Sequence, residues 1–337
     1  MRTEVELDEL LSRPTAEDVA AAAALAGDLL IVGVSGKMGP SLARLARRAS
    51  DQCGVARRVI GVARFRDAET REALEATGIE TLACDLLDDG TVAELPDCPH
   101  VVYMAGHKFG TATDSAGTWA TNVIAPAAIA RRFRRSRIVA FSTGNVYPLT
   151  ALGSAASESH PLGPVGEYAQ SAVGRERVFE FYSRRFDIPM ALLRLNYAVE
   201  PRYGVLRDVA DSVVRRRPID LTTGYVNVIW QRDANAVALR ALAHCATPPL
   251  VLNVTGAPPV SIRDLALRFG AALGMEPLFR GTEAHTALLS DPARCYELFG
   301  TPPVTLEEMI GHVADWITAG GASLGKPTHY EEREGRF

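Results

Sequence analysis

The feature that most constrains the fold is Gly33-Val34-Ser35-Gly36-Lys37-Met38-Gly39, which sits directly between an apolar run at residues 29–32 and a helical pattern from Ser41 to Arg48. A chain that turns this sharply at the end of a strand needs glycine, and the same turn lets a pyrophosphate approach the N-terminus of the helix. The spacing is GxxGxxG rather than GxGxxG. It is the position of the string, on the first strand of an alternating series, that points to a dinucleotide. Further apolar runs at residues 59–62, 80–83, 100–104, 137–142 and 189–195 alternate with helical segments. Runs without in/out alternation predict strands covered on both faces, hence a parallel sheet with helices on either side.

A length of 337 residues fits about two domains, and 47% hydrophobic with 23% charged residues is globular usage. A net charge of -4 argues against nucleic-acid binding, because no basic excess is present to neutralise phosphates. Only three of the 36 basic residues are lysines: Lys37, Lys108 and Lys326. Five scattered cysteines with no CxxC pair suit neither a disulfide framework nor a metal site, which predicts thiols in a reducing cytoplasm. No apolar stretch reaches the length of a membrane span. An alanine-rich helix behind Thr15 is expected to pack on the outside, and the polar segment from Ala322 onward is expected to be mobile or laid over the surface.

From about Asp28 to about Trp316 the chain resembles the extended short-chain dehydrogenases/reductases of the epimerase and dehydratase type. The residues that carry the resemblance are the glycine string, Asp85-Leu86 after the third strand, Ala105-Gly106-His107-Lys108 after the fourth, Asn122, and Ser142-Thr143-Gly144-Asn145-Val146-Tyr147. Tyr168-Ala169-Gln170-Ser171-Ala172 with Glu176 follows in the right order. The resemblance implies a doubly wound parallel sheet of the Rossmann kind, in α/β class, with a smaller α+β substrate domain. We expect an N-terminal extension (1–27), a dinucleotide domain (28–196 plus 226–256), a substrate domain (197–225 plus 257–320) and a polar tail (321–337).

What the resemblance implies for the site follows residue by residue. Gly33, Ser35, Gly36, Lys37, Met38 and Gly39 would cradle the dinucleotide phosphates. Asp85 and Leu86 would meet the adenine, and Ala105, Gly106 and Lys108 the ribose and phosphates. Members that use NAD end the second strand with a carboxylate; here Ala63-Arg64 stands instead, and a guanidinium suits a 2′-phosphate. Arg64 therefore favours NADP, with NAD as the alternative. Thr143 and Tyr168 would hold the reacting oxygen of a carbohydrate-like substrate.

The family's lysine four residues after the tyrosine is replaced by Ala172. An unassisted tyrosine titrates near 10, so about one in a thousand is ionised at pH 7. Three readings stay open: another cation substitutes, the chemistry needs no ionised tyrosine, or the protein is a dinucleotide sensor that no longer turns its cofactor over. Arg175, two helical turns beyond Tyr168, and Lys108 are the candidate cations. On the substrate side the candidates are His107, Asn145, Asn196, Glu200, Arg202 and Arg232, with a solvent-facing position the alternative for Glu200. Val173, Val178, Phe179 and Tyr182 give the tyrosine helix an apolar surface that predicts a homodimer.

Overall fold

The computed structural model describes residues 2–111, 113–326 and 328–336. Seven strands form one parallel sheet: β1 (Leu29–Val32), β2 (Val59–Ala63), β3 (Glu80–Ala83), β4 (His100–Tyr103), β5 (Arg137–Thr143), β6 (Met190–Leu195) and β7 (Leu250–Val254). Their spatial order is β7-β6-β5-β4-β1-β2-β3, so the chain winds outward in both directions from β1. Leu29 is in register with Val59 on one side and His100 on the other. The inner strands are buried along their length, as their unbroken apolar runs require, while the edge strand β3 alternates in exposure. The strand order reverses between β1 and β4, and in open sheets of this kind ligands bind at the carboxyl ends of the strands beside that reversal.

A second core lies beyond the sheet, built from Val199, Leu206, Trp230, Ile262, Phe269, Val313 and Trp316. Both chain ends lie over the body of the fold, as expected, each held by a few buried side chains. The N-terminal extension is two helices, Glu4–Ser12 and Ala16–Ala24, each closed by a capping box on Thr3 and Thr15. The alanine-rich helix packs on the outside as expected, with residues 16, 17, 20, 23 and 24 exposed and only Asp18 and Ala22 turned inward, while Leu7 and Leu11 of the preceding helix are fully buried in the second core. The buried Asp18 carboxylate ties the second helix down by pairing with both Arg232 and Arg240. The C-terminal segment is laid over the surface, one of the two expected outcomes: residues 322–326 are exposed, and Thr328 and Tyr330, 2% and 8% exposed, are its buried anchors.

Candidate active site

At the end of β1 the glycine string turns as its sequence demands. Gly33 has φ +86°, and a Cβ there would sit 2.6 Å from the Ala105 nitrogen. A Cβ on Gly39 would fall 2.1 Å from the Val34 carbonyl oxygen. Both positions are closed to any larger residue, and Ser35 and Gly36 are exposed at the mouth of the turn. Arg64 is exposed just past β2 and meets no carboxylate among the described residues. Asp85 is exposed past β3, where its carboxylate accepts from the Leu87 amide at 3.1 Å, and Leu86 packs partly against the sheet core.

The loop after β4 is held by Asn122, which lies in a single π-helical turn, Ala120–Ile124. All of its side-chain capacity is engaged. Its Oδ1 accepts from the His107 amide at 2.9 Å and from Arg175 Nη2 at 2.6 Å; its Nδ2 donates to the His107 carbonyl and to Ser171 Oγ, both at 2.9 Å. Arg175 reaches back toward the loop, donating also to the Phe141 carbonyl at 3.0 Å and lying 2.7 Å from where a Cβ on Gly106 would be. The His107 ring bonds the Phe109 carbonyl at 2.7 Å, so it braces its own loop.

Thr143 is the last residue of β5, and its hydroxyl accepts from the Asn145 amide and side chain at 3.2 and 3.0 Å. The helix Gly166–Phe186 lies along β5 and is pinned there by Ser142, whose hydroxyl donates to Glu176 at 2.5 Å. Glu176 is bound bidentately by Arg194 of β6, which continues through Tyr147 to Asn253 of β7. This buried chain couples three strands to the helix, and its charged members are fully paired, which is the condition for burying them. Since Arg175 and Glu176 sit beside Phe141 and Ser142, Tyr168 lies about 10 Å further along the axis, beyond the strand ends. Asn196, buried behind Gly144, donates to the Leu288 carbonyl at 3.1 Å. Ala172 is fully buried in a small apolar cluster with Val146, Tyr147 and Ala156.

Lys37 and Lys108 converge here. Lys37 Nζ lies 3.3 Å from the Tyr203 ring centroid and 4.5 Å from that of Phe109. Lys108 Nζ lies 5.5 Å from the Phe109 ring and 5.9 Å from the Tyr168 ring. Burial lowers the Lys37 ammonium to about 7, with Lys108 and Lys326 adding repulsion. Burial also brings Lys108 down to about 8, against the pull of Asp208 and Glu331. Tyr197, with φ +47°, and Tyr203 are desolvated phenols held well above their ordinary titration range. The open part of the cleft is lined by Asn145, Tyr147, Tyr197, Leu288, Tyr330 and Arg333 among others.

Three candidates are engaged elsewhere. Glu200 is 1% exposed, not solvent-facing, because it binds Arg202. Arg202 also pairs with Glu4 and Asp8, and Arg232 pairs with Asp18 and Asp233 and donates to the Arg13 carbonyl. These two guanidiniums anchor the N-terminal helices, whose acidic faces needed them. Among the described residues no group of His, Cys, Asp or Glu is arranged to hold a metal, and no helix is long and apolar enough to cross a membrane.

The model of one family, described as the NAD dependent epimerase/dehydratase family, matches residues 29–246, more than half of the chain. The chain belongs to that epimerase/dehydratase family. It is a family of enzymes. The fold agrees. A UDP-glucuronic acid 4-epimerase from Bacillus cereus, solved with NAD, is 18% identical with TM-score 0.72, covering 86% of this chain and 98% of that one. A dTDP-glucose 4,6-dehydratase from Streptomyces venezuelae, solved with NAD, is 18% identical with TM-score 0.73, covering 86% and 97%. A UDP-glucose 4-epimerase from Thermotoga maritima, solved with UDP-glucose, is 16% identical with TM-score 0.70, covering 87% and 99%. A comparison with curated proteins finds no match.

Within this epimerase/dehydratase fold, sequence reasoning overlooked the aromatic seat of Lys37 and the C-terminal residues in the cleft. The scarcity of lysine was the available signal. In a chain that uses arginine almost everywhere, two of the three exceptions, Lys37 and Lys108, meet over the Phe109 ring. No spacing pattern announces Tyr203, Asp208 or Thr328, because they meet only through tertiary packing.

Proposed function

We propose that the protein is a dinucleotide-dependent oxidoreductase or epimerase acting on a carbohydrate, as a free sugar, a sugar acid or a sugar nucleotide. The observation that carries this reading is the Lys108 ammonium 5.9 Å from the Tyr168 ring, together with Thr143 at the end of β5 and a glycine turn at the end of β1 where no Cβ fits. The glycine turn, Ala105, Gly106, Asp85 and Leu86 hold the dinucleotide, and the bound nicotinamide supplies a hydride acceptor or donor. Thr143 orients the reacting oxygen. Tyr168 moves its proton, with Lys108 as the nearby cation and Arg175 holding the helix and loop at fixed spacing. Asn145, which shares the Thr143 hydroxyl, and Asn196 border the substrate. Sugar-nucleotide substrates are supported by the UDP-glucose bound to the Thermotoga maritima epimerase and the UDP-glucuronic acid bound to the Bacillus cereus one. Arg64 supports NADP over NAD.

The same reading places residues 28–196 plus 226–256 around the dinucleotide and 197–225 plus 257–320 around the substrate, in a cytoplasmic protein. A homodimer follows from the apolar side chains left uncovered on two adjacent helices: Trp119 and Ile124 on one, Phe181 and Phe186 on the tyrosine helix. Phe179 does not contribute, because it is fully buried against Tyr103.

A second reading, a dinucleotide sensor without turnover, is favoured by one observation, the buried Ala172 where the family has lysine. Identifying the nucleotide released when the purified protein is denatured, and its redox state after exposure to sugars and sugar nucleotides, separates the two. A change of redox state supports the enzyme. Release of no dinucleotide at all, with no binding on titration, overturns both.

A further inference from the structure

The C-terminal segment crosses the cleft from the second core to the start of the tyrosine helix, and each step is pinned. The Thr328 amide donates to Asp208 Oδ2 at 2.8 Å and its hydroxyl donates to the same oxygen at 2.5 Å. The Thr328 carbonyl accepts from Lys108 Nζ at 3.2 Å. His329 faces Phe109, with ring centroids 6.1 Å apart, and Tyr330 is buried in the second core. Thr223 donates to the Glu331 carbonyl, and Arg333 donates to the carbonyl and hydroxyl of Thr286 at 2.9 and 2.7 Å. Gly335 abuts the first residue of the tyrosine helix, where a Cβ on Gly166 would lie 2.2 Å from the Gly335 carbonyl oxygen.

This is a built arrangement. Asp208 is desolvated, and the two hydrogen bonds from Thr328 satisfy the carboxylate that burial would otherwise penalise. Lysine carries its charge on four rotatable carbons, so an ammonium left to itself samples many positions. A fixed carbonyl at 3.2 Å removes most of that freedom, and the position it selects is the one beside the Tyr168 ring. Among the described residues, the titratable groups near Lys108 include Lys37, Tyr168, Asp208 and Glu331.

We propose that residues 328–335 are a positioning strap: Asp208 clamps Thr328, and the Thr328 carbonyl holds the Lys108 ammonium beside Tyr168. The functional role of the strap rests on Lys108 being the cation that serves Tyr168; its grip on Lys108 can be tested without any turnover. Thr328 and Asp208 are then positioning residues, and the strap is also the wall of the cleft that presents Tyr330 and Arg333 to the substrate.

The chain's three lysines make the test clean. The full-length protein, Asp208→Ala, Tyr330→Ala and Thr328→Ser are labelled with limiting acetic anhydride at one pH, and the rate at each lysine is read by mass spectrometry. Exposed Lys326 is the internal standard. The Lys108-to-Lys326 ratio rises on the order of tenfold in Asp208→Ala and in Tyr330→Ala, which loosen the strap at two independent anchors. It stays unchanged in Thr328→Ser, which keeps both the carbonyl and the hydroxyl. On a substrate that is turned over, Asp208→Ala lowers kcat about tenfold with KM nearly constant, a split that general loosening of the cleft would not produce. An unchanged Lys108 ratio in both loosened variants overturns the strap, and so does a raised kcat, which would make the segment a plug. Absence of turnover in every variant counts against the enzymatic reading, while the labelling ratios still decide the strap.

Discussion

Arg175 Nη2 donates to Asn122 Oδ1 at 2.6 Å, and this bond joins the tyrosine helix to the loop after β4. The same guanidinium reaches the Phe141 carbonyl, so one side chain ties together three of the elements that border the cleft. Arg175→Met keeps the length and removes the donors, leaving buried oxygens short of partners. Unfolding followed in urea shows a loss of about 1–3 kcal/mol, accompanied by weaker dinucleotide binding as the loop loosens.

Ala172 is enclosed by Val146, Tyr147 and Ala156, so a lysine at this position is expected to bring no gain in activity. A lysine there has to bury an ammonium among apolar side chains or push the helix off its strand. Ala172→Lys lowers stability by about 2–4 kcal/mol and leaves activity no higher than before. A gain in turnover would show instead that the lysine was simply lost.

Lys37 gives a pH signature. Its ammonium is held to about 7 by burial, against an ordinary lysine near 10.4 in the unfolded chain. Between those values the unfolded state binds more protons than the folded one, so this site adds stability as pH rises and burdens the fold below 7. The contact with the Tyr203 ring offsets part of the burden. Lys37→Met therefore stabilises by about 1 kcal/mol at pH 6, and the gain fades by pH 10, as thermal unfolding at the two pH values will register.

The proposed preference for NADP turns on Arg64, which is exposed just past β2. Calorimetric titration finds NADP(H) tighter than NAD(H), and Arg64→Ala removes most of the difference, about 1–2 kcal/mol for a charge-assisted contact. Equal or tighter NAD(H) binding by the unsubstituted protein contradicts this.

The sheet and the glycine turn were legible because they are written in local pattern: apolar runs of strand length and glycines where a Cβ cannot fit. The long-range pairs were not. Glu200 reads as a surface glutamate until its neighbour Arg202 is seen to be held by Glu4, 198 residues earlier, and Arg232 reads as a substrate anchor until Asp18, 214 residues earlier, takes it. Leu7 and Leu11 are ordinary helical leucines whose burial depends on a core assembled from residues 199–316. The tail's course over the surface was legible in its polar composition, but its two buried anchors, Thr328 and Tyr330, were not.

The account stands or falls on Tyr168. The most direct measurement is the turnover of Tyr168→Phe against the unsubstituted protein, with NADP or NAD, across UDP- and dTDP-sugars and free sugars, alongside dinucleotide affinity. The account predicts kcat lowered on the order of 10²-fold or more with dinucleotide affinity unchanged. Undiminished turnover by Tyr168→Phe would contradict it.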